Sequence, residues 1–173
     1  MAVHVYVLIV LVCAAERIVE LAVGRHHLRW VLGRGGVRYG SDRTRALLAL
    51  HIALFTACVL EADLSMRTFR PVAGTAALVV VALAVMLRWW CILALGPRWT
   101  VGIWVIPGLP PVRTGPYRRL AHPGHLADLA QAVALPLVFG GWITAVAFVC
   151  VGGPLLHHQA RTETAALAAA YPT

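Results

Sequence analysis

Three long apolar runs constrain this chain more than any other feature, and they lie at roughly 3–23, 45–64 and 71–95. A hydrocarbon core about 30 Å thick needs about 20 helical residues, so each run is long enough to cross a bilayer. The 173 residues are 60% hydrophobic and 13% charged, with a mean hydropathy of +0.78, and a soluble domain of this size could not bury so much apolar surface. The pattern predicts an all-α, polytopic membrane helix bundle that forms one integral membrane domain over 1–173.

A fourth apolar region, at about 126–156, is too long for one membrane helix. It is interrupted by Pro136, Gly140, Gly141, Gly152 and Gly153. Two helices that meet near Gly140-Gly141 would have about 15 residues each, or about 23 Å. Such a hairpin returns Arg161 and Glu163 to the cytoplasmic side, whereas a single span would leave them outside. We therefore predict about five transmembrane helices, of which the last two form a hairpin.

The charges between the runs predict the orientation of the bundle. The net charge is +8 and every basic residue is an arginine. The connections at 24–44 and 96–123 are rich in arginine, whereas the connection at 65–70 holds only two. Because basic connections stay in the cytoplasm, we expect an inner (plasma) membrane protein with its N-terminus outside and with 96–125 and 157–173 in the cytoplasm. The arginines flank apolar runs instead of forming one basic patch, so we expect no nucleic-acid partner.

The four cysteines predict neither a disulfide nor a metal site. They are far apart, they form no Cys-x-x-Cys motif, and each lies in an apolar run: Cys13, Cys58, Cys91 and Cys150. In such surroundings a free thiol behaves as a small hydrophobic group.

One polar segment stands between the third and fourth apolar regions: RTGPYRRLAHPGH, from Arg113 to His125. A Gly-Pro-Tyr turn, an arginine pair and a His-Pro step do not serve a membrane anchor, so the segment indicates a polar binding site. The preceding VGIWVIPGLPPV alternates β-branched and aromatic residues and then breaks at two proline-containing pairs. This pattern predicts a short extended segment followed by a rigid turn.

Ionisable residues inside the apolar runs form a layer in the half of the bundle nearest this segment. They are Glu16 and Glu20 in the first run, His51 in the second and Arg88 in the third. Such residues are costly in lipid and indicate a functional site. Two interpretations stay open: they act on a substrate, or Glu16 and Glu20 pair with Arg17, Arg88 or His51 to hold the bundle together. Arg88 could also extend to the membrane interface.

Several motifs occur in a distinctive order along the chain. LRWWCILALGPRWT is followed by IPG, by RTGPYRRLAHPGH and by RTETAAL near the C-terminus. In this order they resemble the isoprenylcysteine carboxyl methyltransferase family. The opening ERIVEL resembles the small bacterial members associated with type III polyketide synthases, which methylate alkylpyrones or alkylresorcinols. The resemblance implies a bundle of about five membrane helices that binds S-adenosylmethionine on its cytoplasmic side and methylates a lipophilic small molecule from the bilayer.

The resemblance also implies where the cofactor binds, namely in the loop at 96–125 and the segment at 157–173. It assigns cofactor contacts to Gly115, Pro116, Tyr117, His122 and Pro123, and it assigns the closure of the pocket to Arg161 and Glu163. Histidine and arginine suit the carboxylate of the cofactor, which adds Arg119 and His125. Glu163 suits ribose hydroxyls, and Trp99 offers an aromatic face to the adenine or the sulfonium.

The chain departs from the usual family pattern at a few positions. Ala121 stands where arginine is usual, Gly124-His125 replaces Asn-Tyr, Gln131 stands where glutamate is common, and Thr164 replaces the second member of a Glu-Glu pair. Arg118 or Arg119 could supply the missing charge, and His125 could supply the hydrogen bond of the tyrosine.

The chemistry of the acceptor decides whether a base is needed. A sulfonium methyl donor is already activated, so the displacement needs no metal. A carboxylate acceptor is ionised, whereas a phenol has a pKa of about 10, by analogy with tyrosine, and benefits from a base. His51 or Glu16 could be that base, Arg161 and Glu163 are the other predicted catalytic residues, and Arg88 and Glu20 are predicted to contact the substrate.

Two other functions stay open at this point. The bundle could be an NADPH-dependent reductase of lipids or sterols, which would need basic contacts for a 2′-phosphate. It could also be a non-enzymatic membrane scaffold or a small transporter, which would need a polar pathway across the whole membrane. The sequence does not identify a protein partner.

Overall fold

The computed structural model describes residues 1–39, 41–64 and 69–170, without the side chains of 41–44. Within these residues the chain forms five α-helices: α1 Val3–Leu32, α2 Ser41–Leu64, α3 Pro71–Leu95, α4 Pro123–Leu137 and α5 Trp142–Ala170. Two short strands, β1 Val37–Tyr39 and β2 Ile103–Val105, pair in antiparallel fashion. Two single turns of 3-10 helix lie in the long connection between α3 and α4, at Gly96–Arg98 and Gly115–Arg118.

The predicted all-α membrane-type bundle is confirmed at this level. Three helical segments are long and apolar enough to cross a membrane: Arg45–Leu64, Pro71–Arg98 and Trp142–Ala170. They expose many large apolar side chains, such as Leu83 at 57% and Val146 at 53%, as expected for surfaces that face lipid. α1 is not one of these three segments because it contains charged residues. α4 is not one of them because it has only 15 residues. The number of crossings and their orientation therefore stay predictions.

The main apolar core is built from buried residues of all five helices. Tyr6 of α1 is 1% exposed, donates a hydrogen bond to the Leu135 carbonyl of α4 (3.2 Å) and stacks on Phe139. Gly74 allows α3 to approach α4 closely, because a Cβ at this position would lie 2.7 Å from the Val138 carbonyl oxygen. These contacts fix the helices whose other ends carry the polar residues.

The predicted break near Gly140-Gly141 is confirmed, because α4 ends at Leu137 and α5 begins at Trp142. Glu61 of α2 accepts hydrogen bonds from the backbone N–H groups of Ile143 (3.2 Å) and Thr144 (2.8 Å). These two N–H groups lie in the first turn of α5, where they lack partners within the helix. The side chain of Glu61 therefore caps α5 and ties the hairpin to α2.

The predicted length of the second hairpin arm is wrong, since α5 has 29 residues instead of about 15. The helix continues through Gly152, Gly153 and Pro154. Gly152 is buried where a Cβ would lie 2.6 Å from the Phe148 ring and 3.0 Å from Leu50 of α2, so it serves helix packing instead of ending the helix. As a consequence, the segment predicted at 157–173 belongs to α5 as far as Ala170; its last three residues lie outside the described residues.

The predicted connection at 24–44 is also too long, because α1 continues to Leu32. Gly24 does not end the helix. It is buried in α1, and a Cβ there would lie 2.7 Å from Val101 Cγ2 and 3.0 Å from the Val101 backbone nitrogen. Gly24 thus provides the space in which the α3–α4 connection crosses α1. Arg25, His26 and Arg29 lie on helix instead of in a loop.

We expect Gly24→Ala to loosen this crossing. The overpacking should cost about 1–3 kcal/mol, which exceeds the gain in helix propensity of about 1 kcal/mol. Gly153→Ala is a matched control, because a Cβ on that helical glycine has nothing within 4 Å. Thermal unfolding in detergent should show a lower Tm for Gly24→Ala and an equal or higher Tm for Gly153→Ala. Equal shifts in the two variants would contradict the packing role.

The predicted extended segment is confirmed as β2, and its partner β1 is a feature that the sequence did not reveal. Val37 pairs with Val105 and Tyr39 with Ile103. The two strands pack on Ala166, Leu167 and Ala170 at the end of α5. The small sheet therefore fastens the α3–α4 connection to α5.

Candidate functional site

A cavity of about 410 Å³ lies where the α3–α4 connection meets the ends of α1, α2, α4 and α5. This volume falls within the usual range of ligand pockets, about 300–1,000 Å³. Its loop end is lined by Trp99, Tyr117, His122, His125 and Glu163, and its buried end by Arg17, Glu20, His51 and Asp128. His125 and Asp128 are three residues apart on α4, so about 4.5 Å along the helix axis separates the two ends. Apolar side chains complete the wall, including Leu21, Leu47, Leu48 and Leu109.

The cavity brings together half of the predicted site residues. Those that line it are Glu20, His51, Trp99, Tyr117, His122, His125 and Glu163, and those that do not are Glu16, Arg88, Gly115, Pro116, Arg119, Pro123 and Arg161. Arg88 lies directly behind the lining, where it pairs with Glu20 and Asp128. Arg119 and Arg161 are exposed. The structure thus gives Arg119 and Arg161 no contact with the cavity, and their predicted roles stay predictions.

The start of the predicted loop motif supports the site from behind. Gly115 has a φ of +57°, and a Cβ there would lie 3.0 Å from Ala94 Cβ and 3.1 Å from Trp90 Nε1. Glycine is therefore suited to this turn both by conformation and by space. Pro116 is buried, and the turn places Tyr117 in the lining. Burial raises the pKa of the Tyr117 phenol, so that side chain stays neutral.

His122 ties the beginning of α4 to α5. Its Nδ1 lies 3.1 Å from Glu163 Oε2 and its Nε2 lies 2.9 Å from Thr164 Oγ1. The Thr164 hydroxyl donates its hydrogen to the Ala160 carbonyl (3.0 Å), so Nε2 of His122 is the donor to Thr164. Thr164, one of the departures from the usual family pattern, therefore serves as a hydrogen-bond partner for the motif histidine.

A histidine of α1 positions the loop end. His27 Nδ1 lies 3.1 Å from the Trp99 carbonyl oxygen, which can only accept, so the imidazole donates. The sequence analysis did not identify His27 as a site residue. On the same connection, Arg98 donates to the Pro110 carbonyl (2.7 Å) and braces the turn. The backbone of Trp99 is thereby fixed at the cavity wall.

Three lining residues carry buried polar atoms that have no hydrogen-bond partner within the described part of the chain: Trp99 Nε1, His125 Nδ1 and Gln159 Oε1. Burial lowers the pKa of His125, which favours its neutral ring with one accepting nitrogen. Unpartnered buried polar atoms are costly unless a ligand satisfies them. S-adenosylmethionine carries amino, carboxylate and hydroxyl groups, so the donors and acceptors at this end suit it.

The buried end is a network of charged side chains from four helices. Arg17 of α1 donates to Glu20 Oε2 (2.5 Å) and to Asp128 Oδ1 (2.6 Å). Arg88 of α3 is 1% exposed and lies 3.2 Å from Glu20 Oε2 and 2.9 Å from Asp128 Oδ1. The predicted pairing of Glu20 with both arginines is confirmed. The prediction that Arg88 could extend to the interface is wrong, because Arg88 is buried and its guanidinium pairs with the carboxylates of Glu20 and Asp128.

His51 of α2 joins this network in a defined tautomer. Its Nδ1 lies 2.7 Å from the Leu47 carbonyl, which can only accept, so Nδ1 carries the hydrogen. The basic nitrogen is therefore Nε2, which lies 2.8 Å from Arg17 Nη2 and accepts a hydrogen bond from it. His51 is 7% exposed and lines the cavity. The nitrogen of His51 that could act as a base is thus Nε2, whose lone pair accepts the hydrogen bond of Arg17 in this structure.

The two candidate bases differ in position. Glu16 does not line the cavity; its nearest charged partner is Arg88 Nη1 at 4.0 Å, and its buried oxygens accept no hydrogen bond within the described residues.

Sequence reasoning missed Asp128 entirely, although it is the single charged residue of the apolar region 126–156. The rule that intramembrane charges indicate function would have identified it.

Comparison with known proteins gives the family of this chain. Residues 76–169 match the Isoprenylcysteine carboxyl methyltransferase (ICMT) family, which is more than half of the chain, and the chain belongs to that family. The family is one of membrane methyltransferases that use S-adenosylmethionine. The resemblance inferred from the motifs is therefore confirmed.

Two bacterial proteins are similar to this chain over nearly their whole length. "Uncharacterized protein YpbQ" of Bacillus subtilis is 27% identical over 161 residues, which cover 92% of this chain and 95% of that protein. An "Uncharacterized protein" of Haemophilus influenzae is 21% identical over 159 residues, which cover 91% and 92%. No solved structure matches the chain.

Proposed function

We propose that this chain is a multi-pass O-methyltransferase of the inner (plasma) membrane that uses S-adenosylmethionine. Its acceptor is a lipophilic small molecule with a hydroxyl or carboxylate head, such as an alkylpyrone or an alkylresorcinol. The observation that carries the proposal is one cavity with polar residues at its loop end and at its buried end, about 4.5 Å apart along α4, and with apolar side chains in the rest of its lining. Such a cavity can hold a polar cofactor beside the head of a lipid.

The loop end supplies the groups that would hold the cofactor. His125 and Arg113 suit its carboxylate, Glu163 suits ribose hydroxyls, and Trp99 and Tyr117 offer aromatic faces. When bound there, S-adenosylmethionine supplies an activated methyl group. The residues then have to orient the two reactants, and orientation alone can lower a barrier by several kcal/mol.

The buried end would receive the head of the acceptor. Leu21, Leu47 and Leu48 form an apolar surface for an alkyl chain, and they lie beside His51 in the lining. A hydroxyl that reaches Nε2 of His51 can give up its proton there. Arg88 and Glu20 are predicted to contact the substrate, but only Glu20 lines the cavity. Glu20 pairs with both Arg17 and Arg88, so the two residues together hold Arg17 in place.

The arginine distribution supports five crossings with the cavity on the cytoplasmic side. Arg98 and Arg113 line the cavity, and both belong to the arginine-rich connection that the positive-inside rule retains in the cytoplasm. In this arrangement α1 and α4 cross the membrane with the three strongly apolar helices, and the N-terminus lies outside.

The methyl-transfer reaction tests the proposal. Purified protein in detergent is incubated with S-adenosylmethionine labelled in the methyl group and with long-chain phenols, hydroxypyrones and carboxylic acids. We expect the label in an organic-extractable product of at least one acceptor class. Absence of transfer to all of these amphiphiles would contradict the proposal.

The two alternative functions make different predictions. A reductase would bind NADPH instead of S-adenosylmethionine. A transporter needs a polar pathway along its whole length, whereas the described buried core beyond the charge network includes Tyr6, Val10, Leu135 and Phe139. That core favours an enzyme with a site at one end.

A further inference from the structure

Asp128 is the residue of the buried end to which the proposed function gives no role. Two guanidinium groups from two other helices converge on its Oδ1: Arg17 Nη2 at 2.6 Å and Arg88 Nη2 at 2.9 Å. Both of these contacts are made by Oδ1 and not by Oδ2. The side chain of Asp128 is 20% exposed and lines the cavity. Asp128 therefore connects the charge network to the space that the acceptor would occupy.

The same oxygen of Asp128 lies close to the basic nitrogen of His51. The distance from His51 Nε2 to Asp128 Oδ1 is 3.8 Å. Between them lies Arg17 Nη2, which donates one hydrogen to Oδ1 and the other to Nε2. The position of Arg17 against His51 is thus set by Asp128 on one side and by Glu20 on the other.

We propose, on the basis of the proposed function, that Asp128 is a positioning residue for proton removal from the acceptor. In this step the hydroxyl proton of the acceptor moves to Nε2 of His51 while the hydroxyl oxygen takes the methyl group. The O–H bond breaks and the O–CH₃ bond forms, and the positive charge lost by the methyl donor is carried by the imidazolium until water takes the proton. Arg17 turns away from Nε2, and Asp128 accepts the new N–H.

Charge balance explains why a carboxylate is needed at this position. A buried imidazolium beside Arg17 would place two cations in contact, which is costly unless an anion compensates. The aspartate of Ser-His-Asp triads also stabilises a protonated histidine, but it does so from Nδ1. In His51 the Leu47 carbonyl occupies Nδ1, and Asp128 lies on the side of Nε2. Glu20 contacts the arginines, Glu16 lies outside the lining and Glu163 lies at the loop end. Of these four carboxylates, Asp128 is the one that lies within 4.0 Å of a His51 ring nitrogen.

The test compares two acceptors of different acidity. One is a long-chain alkylphenol, which has to lose its proton, and the other is the same phenol with a ring nitro group, assayed at a pH where it is already ionised. Asp128→Asn removes the negative charge at nearly constant shape. We expect it to lower turnover of the alkylphenol by about 100-fold, but that of the ionised nitrophenol by no more than about threefold, because only the first needs a base.

Controls separate this role from a structural one. Asp63→Asn changes an exposed aspartate at the far end of α2 and should leave both rates at the wild-type value. Isothermal titration of S-adenosylmethionine should give Asp128→Asn the wild-type affinity. If Asp128→Asn does not fold, Asp128→Glu, which keeps the charge but moves it, should still slow the alkylphenol more than the nitrophenol.

Each outcome has a defined meaning. A larger loss on the alkylphenol supports the positioning role. An equal loss on the two phenols, in an active enzyme, overturns it and leaves the proposed function intact. A wild-type protein that methylates neither phenol, nor any other amphiphile, overturns the proposed function and this inference with it.

Discussion

Replacing His122 by alanine is expected to weaken the binding of S-adenosylmethionine by about 30-fold, as measured by isothermal titration in detergent. His122 Nδ1 lies 3.1 Å from Glu163 Oε2 and its Nε2 lies 2.9 Å from Thr164 Oγ1, and these contacts hold the start of α4 against α5 at the loop end. A hydrogen bond to a charged group contributes about 1.5–3 kcal/mol, which corresponds to about one to two powers of ten in affinity. Without the imidazole, Glu163 is no longer held in the lining.

A histidine elsewhere on α5 provides the control for this variant. The side chain of His158 is exposed and outside the lining, so His158→Ala should bind the cofactor as the wild type does. Glu163→Gln, which keeps the shape but removes the charge, should show a loss similar to that of His122→Ala. Wild-type affinity in His122→Ala would contradict the placement of the cofactor at the loop end.

Replacing Arg88 by methionine is expected to produce the largest loss of stability in the chain. Arg88 is 1% exposed, and its guanidinium lies between Glu20 (3.2 Å) and Asp128 (2.9 Å). Removal of one partner of a buried ion pair costs about 3–5 kcal/mol, because the remaining charge is left without compensation. For a chain of this size that is a decrease in Tm of about 10 °C.

The cause of this loss can be checked with a second substitution. In the double variant Arg88→Met with Asp128→Asn, one of the uncompensated carboxylates is gone, so part of the lost stability should return. Arg70→Met, at an exposed position before α3, is the matched control and should leave the Tm unchanged. Additive losses in the double variant would show that Arg88 acts through packing instead of charge.

The helices that the sequence predicts well are those with strong end signals. The third apolar run was predicted at 71–95 and α3 spans Pro71–Leu95, because a proline begins it and Gly96, with a φ of +54°, ends it. In α5 a glycine misled the prediction, because Gly152 was counted as an interruption of the apolar region and the helix continues through it. Gly24 and Gly152 are glycines of helix contacts, and only the position of the neighbouring segment reveals that their missing Cβ is needed for packing.

The sequence predicts which residues belong to the candidate site, but it does not predict which of them pair with each other. The rule for intramembrane charges identified Glu20, His51 and Arg88. It could not show that Arg17 reaches Asp128, 111 residues away, because the rotation of each helix is set by packing with its neighbours. The strand β1 has only three residues, which is too short for a periodic signal.

Two residues that depart from the usual family pattern, His125 and Thr164, contribute to the candidate site. His125 lines the cavity with a buried nitrogen that is free for a ligand, and Thr164 holds His122. Gln131 is 4% exposed and lies one turn after Asp128 on α4. The carboxylate of α4 that contacts both arginines is Asp128.

The most direct test of the account is a cofactor titration of the wild-type protein. S-adenosylmethionine and NADPH are each titrated into purified protein in detergent, and the binding heat is measured. We predict saturable binding of S-adenosylmethionine at one site per chain, weakened about 30-fold in Glu163→Gln and unchanged in Asp63→Asn, with no binding of NADPH. Saturable binding of NADPH without binding of S-adenosylmethionine would contradict the methyltransferase assignment of this cavity.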